Sequence, residues 1–327
     1  MLPERQREQE FMGARDDIEQ LGKRIGEAII GQEGMIERLL LGLLSNGHLL
    51  VEGLPGLAKT RAIKSMAKNL DAELSRIQFT PDLLPADITG SEIYFSDGGK
   101  GEFRFQEGPI FANLILADEV NRAPAKVQSA LLEAMEERQV TIGGKSHTLP
   151  DLFLVMATQN PIEQEGTYPL PEAQLDRFLM QVDVNYPELA AERQILLETT
   201  GLSETKPQAV LNAERLMQIQ SLIRQMPVSD KVVDAILGLV RSARPGQGHA
   251  STDKHVAWGP GPRAGQAMML CARARALYEG RLAPSLDDVY ALAEPVLEHR
   301  MALTFAARAE GMSVRDVIAG LVKQARG

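Results

Sequence analysis

The stretch LLVEGLPGLAKTRAI, Leu49–Ile63, is the segment of this 327-residue chain that says most about its fold. Its first part is a short apolar run that ends in glycine, which is typical of a buried strand, and the segment KTRAIKSMAKNL, residues 59–70, then has helical periodicity. A strand, a glycine-rich turn and a helix form a phosphate-binding loop, because backbone N–H groups at the helix start surround a phosphate while a lysine adds charge. Gly53, Gly56, Lys59 and Thr60 supply the residue types that such a loop needs.

Ala58 stands where the common pattern GxxxxGK[ST] has its second glycine. The chain enters the following helix at this position, and right-handed helical dihedral angles admit a methyl group without strain. We therefore expect the loop to bind a nucleotide, with Lys59 facing the phosphates and the Thr60 hydroxyl on Mg²⁺. The predicted loop residues are Gly53, Leu54, Pro55, Gly56, Leu57, Ala58, Lys59 and Thr60.

Two acidic residues end the apolar run NLILADEV, residues 113–120. In a strand parallel to the first, Asp118 would lie at the carboxyl end beside the loop, where an acid can hold the Mg²⁺ shell. Glu119 would then take a proton from an attacking water. Solvated acids at the end of an isolated strand are a common alternative, but the phosphate loop upstream favours the catalytic interpretation.

Asn160 ends a further apolar strand, DLFLVMATQNP, residues 151–161. Ligands of open α/β sheets bind at the carboxyl ends of the strands, so the Asn160 amide is placed to orient the lytic water or the γ-phosphate. Taken alone, Asn160 and Pro161 are a turn-forming pair.

Five predicted strands alternate with helices, which indicates a parallel sheet covered on both faces. The strands are HLLVEG, LSRIQFT, NLILADEV, DLFLVMATQNP and LMQVDVNYP. Beyond Pro187 the strand-like runs give way to helical periodicity. We therefore predict an α/β domain over residues 1–187 and a smaller all-helical domain over residues 188–327. Two domains are expected because the chain is longer than a single hydrophobic core usually supports.

The composition argues against several classes of protein. The net charge is −9, and this acidic balance disfavours a protein built to hold duplex DNA. The single cysteine, Cys271, excludes an intramolecular disulfide and a cysteine metal cluster, and its apolar helical surroundings favour a core position. No apolar run reaches the roughly 18 residues of a membrane helix and the N-terminus has no signal-peptide pattern, so we expect a cytoplasmic location.

Four motifs in order, GLPGLAKT, LILADE, ATQNP and LPEAQLDRF, resemble those of the MoxR family of AAA+ ATPases. The resemblance extends from about Ile30 to the C-terminal helices. It implies an α/β AAA+ P-loop fold, with a parallel five-stranded sheet sandwiched by helices and followed by a smaller all-helical lid domain. It also implies ATP or ADP as ligand, with Mg²⁺ held by Thr60 and, through water, by Asp118. In this family GxPGxAKT is a usual form of the phosphate loop, Walker A.

Further site residues follow from the resemblance. Ile30, Gly31 and Gln32 match a segment that packs on adenine, and the alternative is a glycine that breaks a helix. Arg177 in LDRF matches the arginine finger, which projects into the site of the neighbouring subunit. The alternative for Arg177 is a surface arginine that caps a helix.

Arg263 matches sensor 2, an arginine at the start of a lid helix that reaches the γ-phosphate, although Gly261 stands where relatives often have serine. Arg122, which closely follows the two acids, is a candidate to face the subunit interface. The predicted catalytic residues are Glu119, Asn160, Arg177 and Arg263.

Two insertions, over residues of about 87–108 and 138–151, carry alternating patterns around glycine-rich turns and are predicted hairpins. AAA+ proteins of the helix-2-insert clade have both, the first as an interruption of the second helix and the second just before the strand that ends in Asn160. They are either ordinary surface hairpins or contacts for a client protein.

The predicted function is that of a Mg²⁺-dependent ATPase working at the subunit interfaces of a ring, with six subunits as the family's usual number. The resemblance implies a chaperone that remodels or matures partner proteins, among them von Willebrand factor A domain proteins. One alternative is a nucleic-acid-stimulated motor, which the acidic charge disfavours. A nucleotide-gated binding module is another, and Glu119 with Asn160 argues against it because a pure switch needs no base.

Overall fold

The computed structural model describes residues 4–53, 57, 59–97, 100–160, 166–199, 209–247 and 249–327. The helices are α1 Glu4–Ala28, α2 Glu33–Leu44, α3 Lys59–Asn69, α4 Pro85–Thr89, α5 Ala125–Glu137, α6 Glu172–Leu175, α7 Leu189–Thr199, α8 Ala213–Arg224, α9 Asp230–Ser242, α10 Ala250–His255, α11 Pro262–Tyr278, α12 Leu286–Ala291, α13 Ala293–Leu297, α14 Phe305–Ala309 and α15 Val314–Arg326. The strands are β1 Leu49–Gly53, β2 Leu74–Gln78, β3 Gly90–Asp97, β4 Lys100–Glu107, β5 Leu114–Asp118, β6 Gln139–Ile142, β7 Lys145–Thr148, β8 Leu154–Gln159, β9 Met180–Val184, β10 Val256–Trp258 and β11 Ala302–Leu303. Single turns of 3₁₀ helix cover Val120–Arg122 and Glu298–Arg300.

The central sheet has five parallel strands in the order β2-β5-β8-β1-β9. These are the five strands that the sequence predicts, and the predicted parallel arrangement is confirmed. Because all five run the same way, their carboxyl ends share one edge of the sheet, here called the carboxyl edge. Their amino ends share the opposite amino edge, roughly 16 Å away for strands of five residues.

Alternate residues of the three central strands, β1, β5 and β8, face two separate apolar clusters. Leu49 and Val51 of β1 belong to the cluster shared with α1, α2, α3 and the helices after residue 187, whereas Leu50 belongs to the cluster that includes α5. Both faces of the sheet are therefore buried at these three strands. This double burial explains why the central strands are apolar runs in the sequence, whereas the edge strands β2 and β9 include polar residues such as Arg76 and Asp183.

Both predicted hairpins are present. Strands β3 and β4 pair antiparallel from Gly90 with Glu107 to Asp97 with Lys100, and β6 and β7 pair around a turn in which Gly143 and Gly144 have φ of 57° and 78°. The helix expected to be interrupted by the first hairpin is the single turn α4, and residues 108–113 return to the sheet as turns rather than as a second helical half.

The described residues after Pro187 form helices as expected, apart from one pair of short strands. Val256 pairs with Leu303, and Trp258 pairs with Ala302, in an antiparallel arrangement. Strands of three and two residues are too short to produce a period-two pattern, so the sequence could not reveal them.

Cys271 is fully buried in α11, and burial raises the pKa of its thiol to about 12, which agrees with a core position. Within the described part of the chain, no helix has both the length and the apolar character needed to cross a bilayer.

His48 is a buried histidine that links the amino edge of the sheet to α5. Its Nδ1 accepts a hydrogen bond from the Val155 N–H at 3.0 Å, so the proton is on Nε2, which donates to the Met135 carbonyl at 3.1 Å. Burial, with a smaller contribution from the Arg138 charge, lowers the pKa of His48 to about 3. The imidazole is therefore neutral in the folded protein at every pH near neutrality.

We expect His48 to make the folding free energy pH-dependent. The folded-state pKa of about 3 lies below the ordinary value of 6.5, so the unfolded state binds more protons between these values and the stabilisation is lost as pH falls from 6.5. The free energy of unfolding of the wild type should fall by about 1.6 kcal/mol more than that of His48→Gln between pH 6.5 and 5. Urea unfolding at both pH values measures this difference, and parallel losses in the two proteins would contradict it.

Candidate functional site

Gly53 and Lys59 frame the start of the site at the carboxyl edge. A Cβ on Gly53 would lie 2.7 Å from the Val184 carbonyl oxygen, so close packing of β1 on β9 requires glycine at this position. Lys59 begins α3, and its Nζ donates to the Gly53 carbonyl oxygen at 2.7 Å. Of the other predicted loop residues, Leu57 and Thr60 are partly buried, whereas Leu54, Pro55, Gly56 and Ala58 lie outside the described residues. The tolerance of Ala58 stays a prediction.

Thr158 ties the two acids to the neighbouring strand. Its hydroxyl donates to Asp118 Oδ1 at 2.7 Å and accepts the Glu119 backbone N–H at 2.9 Å. Glu119 has left-handed dihedral angles, φ 57° and ψ 50°, which are rare for a residue with a side chain and are often found at functional sites. The sheet therefore holds Asp118 and Glu119 in one arrangement. Asn160, also predicted, is buried at the end of β8, two residues beyond Thr158.

Strand β2 contributes two residues that the sequence analysis missed. Arg76 donates to Asp118 Oδ2 from Nη2 at 2.6 Å and from Nε at 3.2 Å, and Gln78 donates to Glu119 Oε2 at 2.9 Å. The same Glu119 oxygen lies 3.1 Å from Arg122 Nε, which places Arg122 at the acids. The sequence LSRIQFT contains a pattern that could have identified both residues. Arg76 and Gln78 are two residues apart in this predicted strand, so their side chains share one face of it.

The charges at the carboxyl edge act on one another. Burial lowers the pKa of Lys59, while the nearby charges of Asp118, Glu119 and Glu52 raise it. The lysine and the two acids are thus close enough to interact electrostatically. The Thr60 hydroxyl and the Asp118 carboxylate are hard oxygen donors of the kind that Mg²⁺ takes, so these residue types fit the predicted ion.

The predicted adenine segment lies at the same edge. Gln32 donates from Nε2 to the Asn185 carbonyl oxygen at 2.8 Å, just beyond the end of β9. Gly31 has φ of 73°, and a Cβ there would lie 2.3 Å from Ala191 Cβ, so the segment packs tightly on the start of α7. Ile30, which precedes them, is partly buried. Adenine contact by these residues stays a prediction.

Arg177 and Arg263 lie at the amino edge, opposite the acids. Arg177 is in the turn between α6 and β9, and Arg263 is the second residue of α11. Both bind the carboxylate of Glu136, near the end of α5: Arg177 Nε lies 3.0 Å from Oε2, and Arg263 Nη2 contacts Oε1. The structure therefore brings the two predicted arginines together and separates them from Lys59 of their own chain.

A cavity of about 330 Å³ at this edge is strongly cationic. It lies between the α/β domain and the helices after residue 187, and His48 and Glu136 are among its lining residues. The arginines that line it are Arg138, Arg177, Arg224, Arg263 and Arg300. Such a cavity suits an anion.

Arg300 is almost completely buried, with 1% of its surface exposed, and it anchors the turn that carries Arg177. Its Nε donates to Asp176 Oδ1 at 2.7 Å, and its Nη1 donates to the Leu179 carbonyl oxygen at 3.1 Å. Burial lowers the pKa of Arg300, and the Asp176 carboxylate opposes that change. The sequence does not predict that Arg300 anchors this turn. The surrounding residues EHRM, 298–301, have no pattern that distinguishes a buried arginine from an exposed one.

Comparisons with known proteins identify the family and the fold. A family model described as "ATPase family associated with various cellular activities (AAA)" matches residues 48–180, and a model described as "AAA lid domain" matches residues 249–321. The solved structure of a candidate ATPase from Cytophaga hutchinsonii superposes with a TM-score of 0.90 at 40% identity, covering 97% of this chain and 96% of that one.

The curated relatives extend over most of the chain. "Chaperone MoxR1" of Mycobacterium tuberculosis is 47% identical over 89% of this chain and 77% of its own length. "Uncharacterized protein YeaC" of Bacillus subtilis is 41% identical over 91% and 92%, respectively, and "Protein MoxR" of Methylorubrum extorquens is 31% identical over 88% of both. With this identity and coverage, the chain belongs to the MoxR family of AAA+ ATPases.

Proposed function

We propose that this protein hydrolyses ATP to ADP and phosphate and uses the energy as a chaperone. The observation that carries the proposal is the convergence of Lys59, Asp118, Glu119 and Asn160 at the carboxyl edge of the sheet in a member of an ATPase family. Each residue type has a separate task in phosphoryl transfer, so their presence together favours turnover over a nucleotide-gated binding module.

The chemistry follows from these side chains. The water oxygen forms a bond to the γ-phosphorus as the bond from that phosphorus to the ADP oxygen breaks. Glu119 takes the proton of the water, Asn160 orients the water or the γ-phosphate, and Lys59 holds the phosphates. Mg²⁺, for which Thr60 and Asp118 are the proposed ligands, would neutralise phosphate charge when bound.

Gln78 and Arg122 hold the proposed base, Glu119. Both side chains contact Glu119 Oε2, at 2.9 Å and 3.1 Å. The two donors therefore occupy an oxygen that the attacking water would otherwise approach. We infer that Glu119 must exchange these contacts for the attacking water before it can accept a proton.

The two predicted arginines support a ring. Arg177 and Arg263 lie at the amino edge, whereas the nucleotide residues lie at the carboxyl edge. A head-to-tail contact that places the amino edge of one subunit against the carboxyl edge of the next would complete each site, and such contacts close into rings. A hexamer is the proposed assembly, with Arg177 as arginine finger and Arg263 as sensor 2 acting on the neighbour's γ-phosphate.

The two hairpins are the proposed client surface. Tyr94, Phe95 and Phe103 on the first hairpin are 58%, 45% and 67% exposed. Phe105 of the same hairpin stacks on His147 of the second, with ring centroids 3.9 Å apart, so the hairpins form one unit. Exposed aromatic clusters of this kind favour contact with protein. Partners with von Willebrand factor A domains remain the proposed class, and family membership favours this function over the nucleic-acid-stimulated motor.

Substitutions at Lys59 and Glu119 should separate binding from hydrolysis. Lys59→Ala removes the charge that faces the phosphates and should weaken ATP binding by about 3 kcal/mol, roughly a hundredfold in Kd. Glu119→Gln should bind ATP normally and slow turnover by about 10²- to 10⁴-fold. Calorimetric titration and phosphate release measure the two effects.

The control for this pair is Lys64→Ala, which removes an exposed lysine from the same helix and should change neither quantity. Near wild-type turnover in Glu119→Gln would show that Glu119 is not the base.

Mixing two inactive variants should restore activity if the site is shared. Arg177→Ala should bind ATP but lose about 10³-fold or more in turnover, because a missing arginine finger costs that much. Its subunits keep Lys59, whereas Lys59→Ala subunits keep Arg177. Mixed assemblies should therefore exceed the summed phosphate release of the two parents.

Subunit exchange is verified separately by energy transfer between labelled subunits. If subunits exchange and no mixture exceeds its parents, Arg177 does not act on a neighbouring site and the ring mechanism is wrong.

A further inference from the structure

We propose that Glu136 is a positioning residue that holds Arg177 and Arg263 together as one phosphate-binding unit. This inference rests on the proposed function, because the phosphate in question belongs to the neighbouring subunit. It goes beyond that function in naming the residue that sets the geometry of both arginines.

The contacts of Glu136 are divided between the two arginines. Oε2 lies 3.0 Å from Arg177 Nε, and Oε1 accepts from Arg263 Nη2. Two guanidinium groups repel each other, and a carboxylate between them offsets that repulsion. Because each guanidinium has five N–H donors, each arginine keeps several donors for a phosphate.

Glu136 is the acid available to offset the repulsion between Arg177 and Arg263. Among the described residues that line the cationic cavity, the acids are Glu136 and Asp176. Asp176 is engaged by the buried Arg300, whose Nε donates to its Oδ1 at 2.7 Å. Loss of the Glu136 carboxylate would therefore leave Arg177 and Arg263 without an acid between them.

The backbone around Glu136 is fixed to the sheet. The carbonyl oxygen of Met135, the preceding residue, accepts from His48 at 3.1 Å. Arg138, two residues further on, donates from Nη1 to the Phe153 carbonyl oxygen at 2.7 Å and from Nη2 to the Asn46 carbonyl oxygen at 3.1 Å. Residues on both sides of Glu136 are thus hydrogen-bonded to segments that lead into β1 and β8.

The arginines come from different elements. Arg177 is on the turn before β9, and Arg263 is on α11 in the region that matches the lid family. Glu136 therefore fixes a residue of the lid and a residue of the α/β domain relative to the sheet. The side chains of Arg177 and Arg263 remain 30% and 45% exposed, so an approaching phosphate can reach them.

Glu136→Ala should lower the turnover of the assembled protein without affecting the chain's own nucleotide site. Misplacement of catalytic groups by about 1 Å can cost a factor of roughly 100, so we expect kcat to fall about 10- to 100-fold with KM unchanged. Glu136→Asp keeps the charge and should recover part of the loss. Glu137→Ala, which removes the next and exposed carboxylate of α5, is the matched control and should retain wild-type kcat.

Phosphate release gives kcat and KM, calorimetric titration gives ATP affinity, and thermal unfolding tests the fold. An unchanged kcat in Glu136→Ala would overturn the proposal. A kcat above that of the wild type would also overturn it, because Glu136 would then inhibit turnover. No recovery in a folded Glu136→Asp variant would also count against a positioning role.

A mixing experiment separates this inference from the proposed function. Glu136→Ala with Lys59→Ala should exceed the sum of the two parents, because Lys59→Ala subunits present an intact pair of arginines to the sites of their neighbours. If this mixture fails while Arg177→Ala with Lys59→Ala succeeds, the ring mechanism holds and the role of Glu136 is wrong. If both mixtures fail although subunits exchange, the shared site and the Glu136 proposal fall together.

Discussion

The parallel pairing of the five-stranded sheet determines which side chains come together in this protein. Parallel strands place all carboxyl ends at one edge, so Gly53, Asp118 and Asn160 meet there although they are far apart in the sequence. The same pairing places His48, Phe153 and Leu179 at the opposite edge. The protein therefore has two chemically different edges, one that carries the acids and Lys59 and one that carries a cluster of arginines.

Buried polar side chains connect the helices to these edges. Thr158 fixes the two acids to β8, His48 fixes α5 to the amino edge, and Arg300 fixes the turn before β9 to the C-terminal helices. A buried arginine carries a large desolvation cost, which carboxylate and carbonyl partners must offset. Arg300 has the Asp176 carboxylate and several carbonyl oxygens for this purpose. Such specific partners define one arrangement more strictly than apolar contacts do.

Much of the fold and of the acidic edge could be predicted from the sequence. Apolar runs that end in glycine, acids or asparagine identified the strands, and parallel topology then placed Asp118 and Asn160 beside Lys59. The arginines were harder, because sequence motifs name Arg177 and Arg263 without showing the sheet edge against which their elements pack. The roles of Glu136 and Arg300 could not be predicted, because they arise from contacts between residues far apart in the sequence. Local sequence periodicity does not reveal such contacts. The strands β10 and β11 were not predicted because they have only three and two residues, which is too few to form a recognisable pattern.

We propose that the arginine edge of one subunit completes the nucleotide edge of the next. The structure of the assembled Glu119→Gln variant with ATP and Mg²⁺, determined by electron cryomicroscopy, tests it most directly. We expect Arg177 and Arg263 to lie within hydrogen-bonding distance of a γ-phosphate that Lys59 of the adjacent subunit holds. An assembly in which both arginines face solvent, or in which they contact the nucleotide of their own chain, would contradict it.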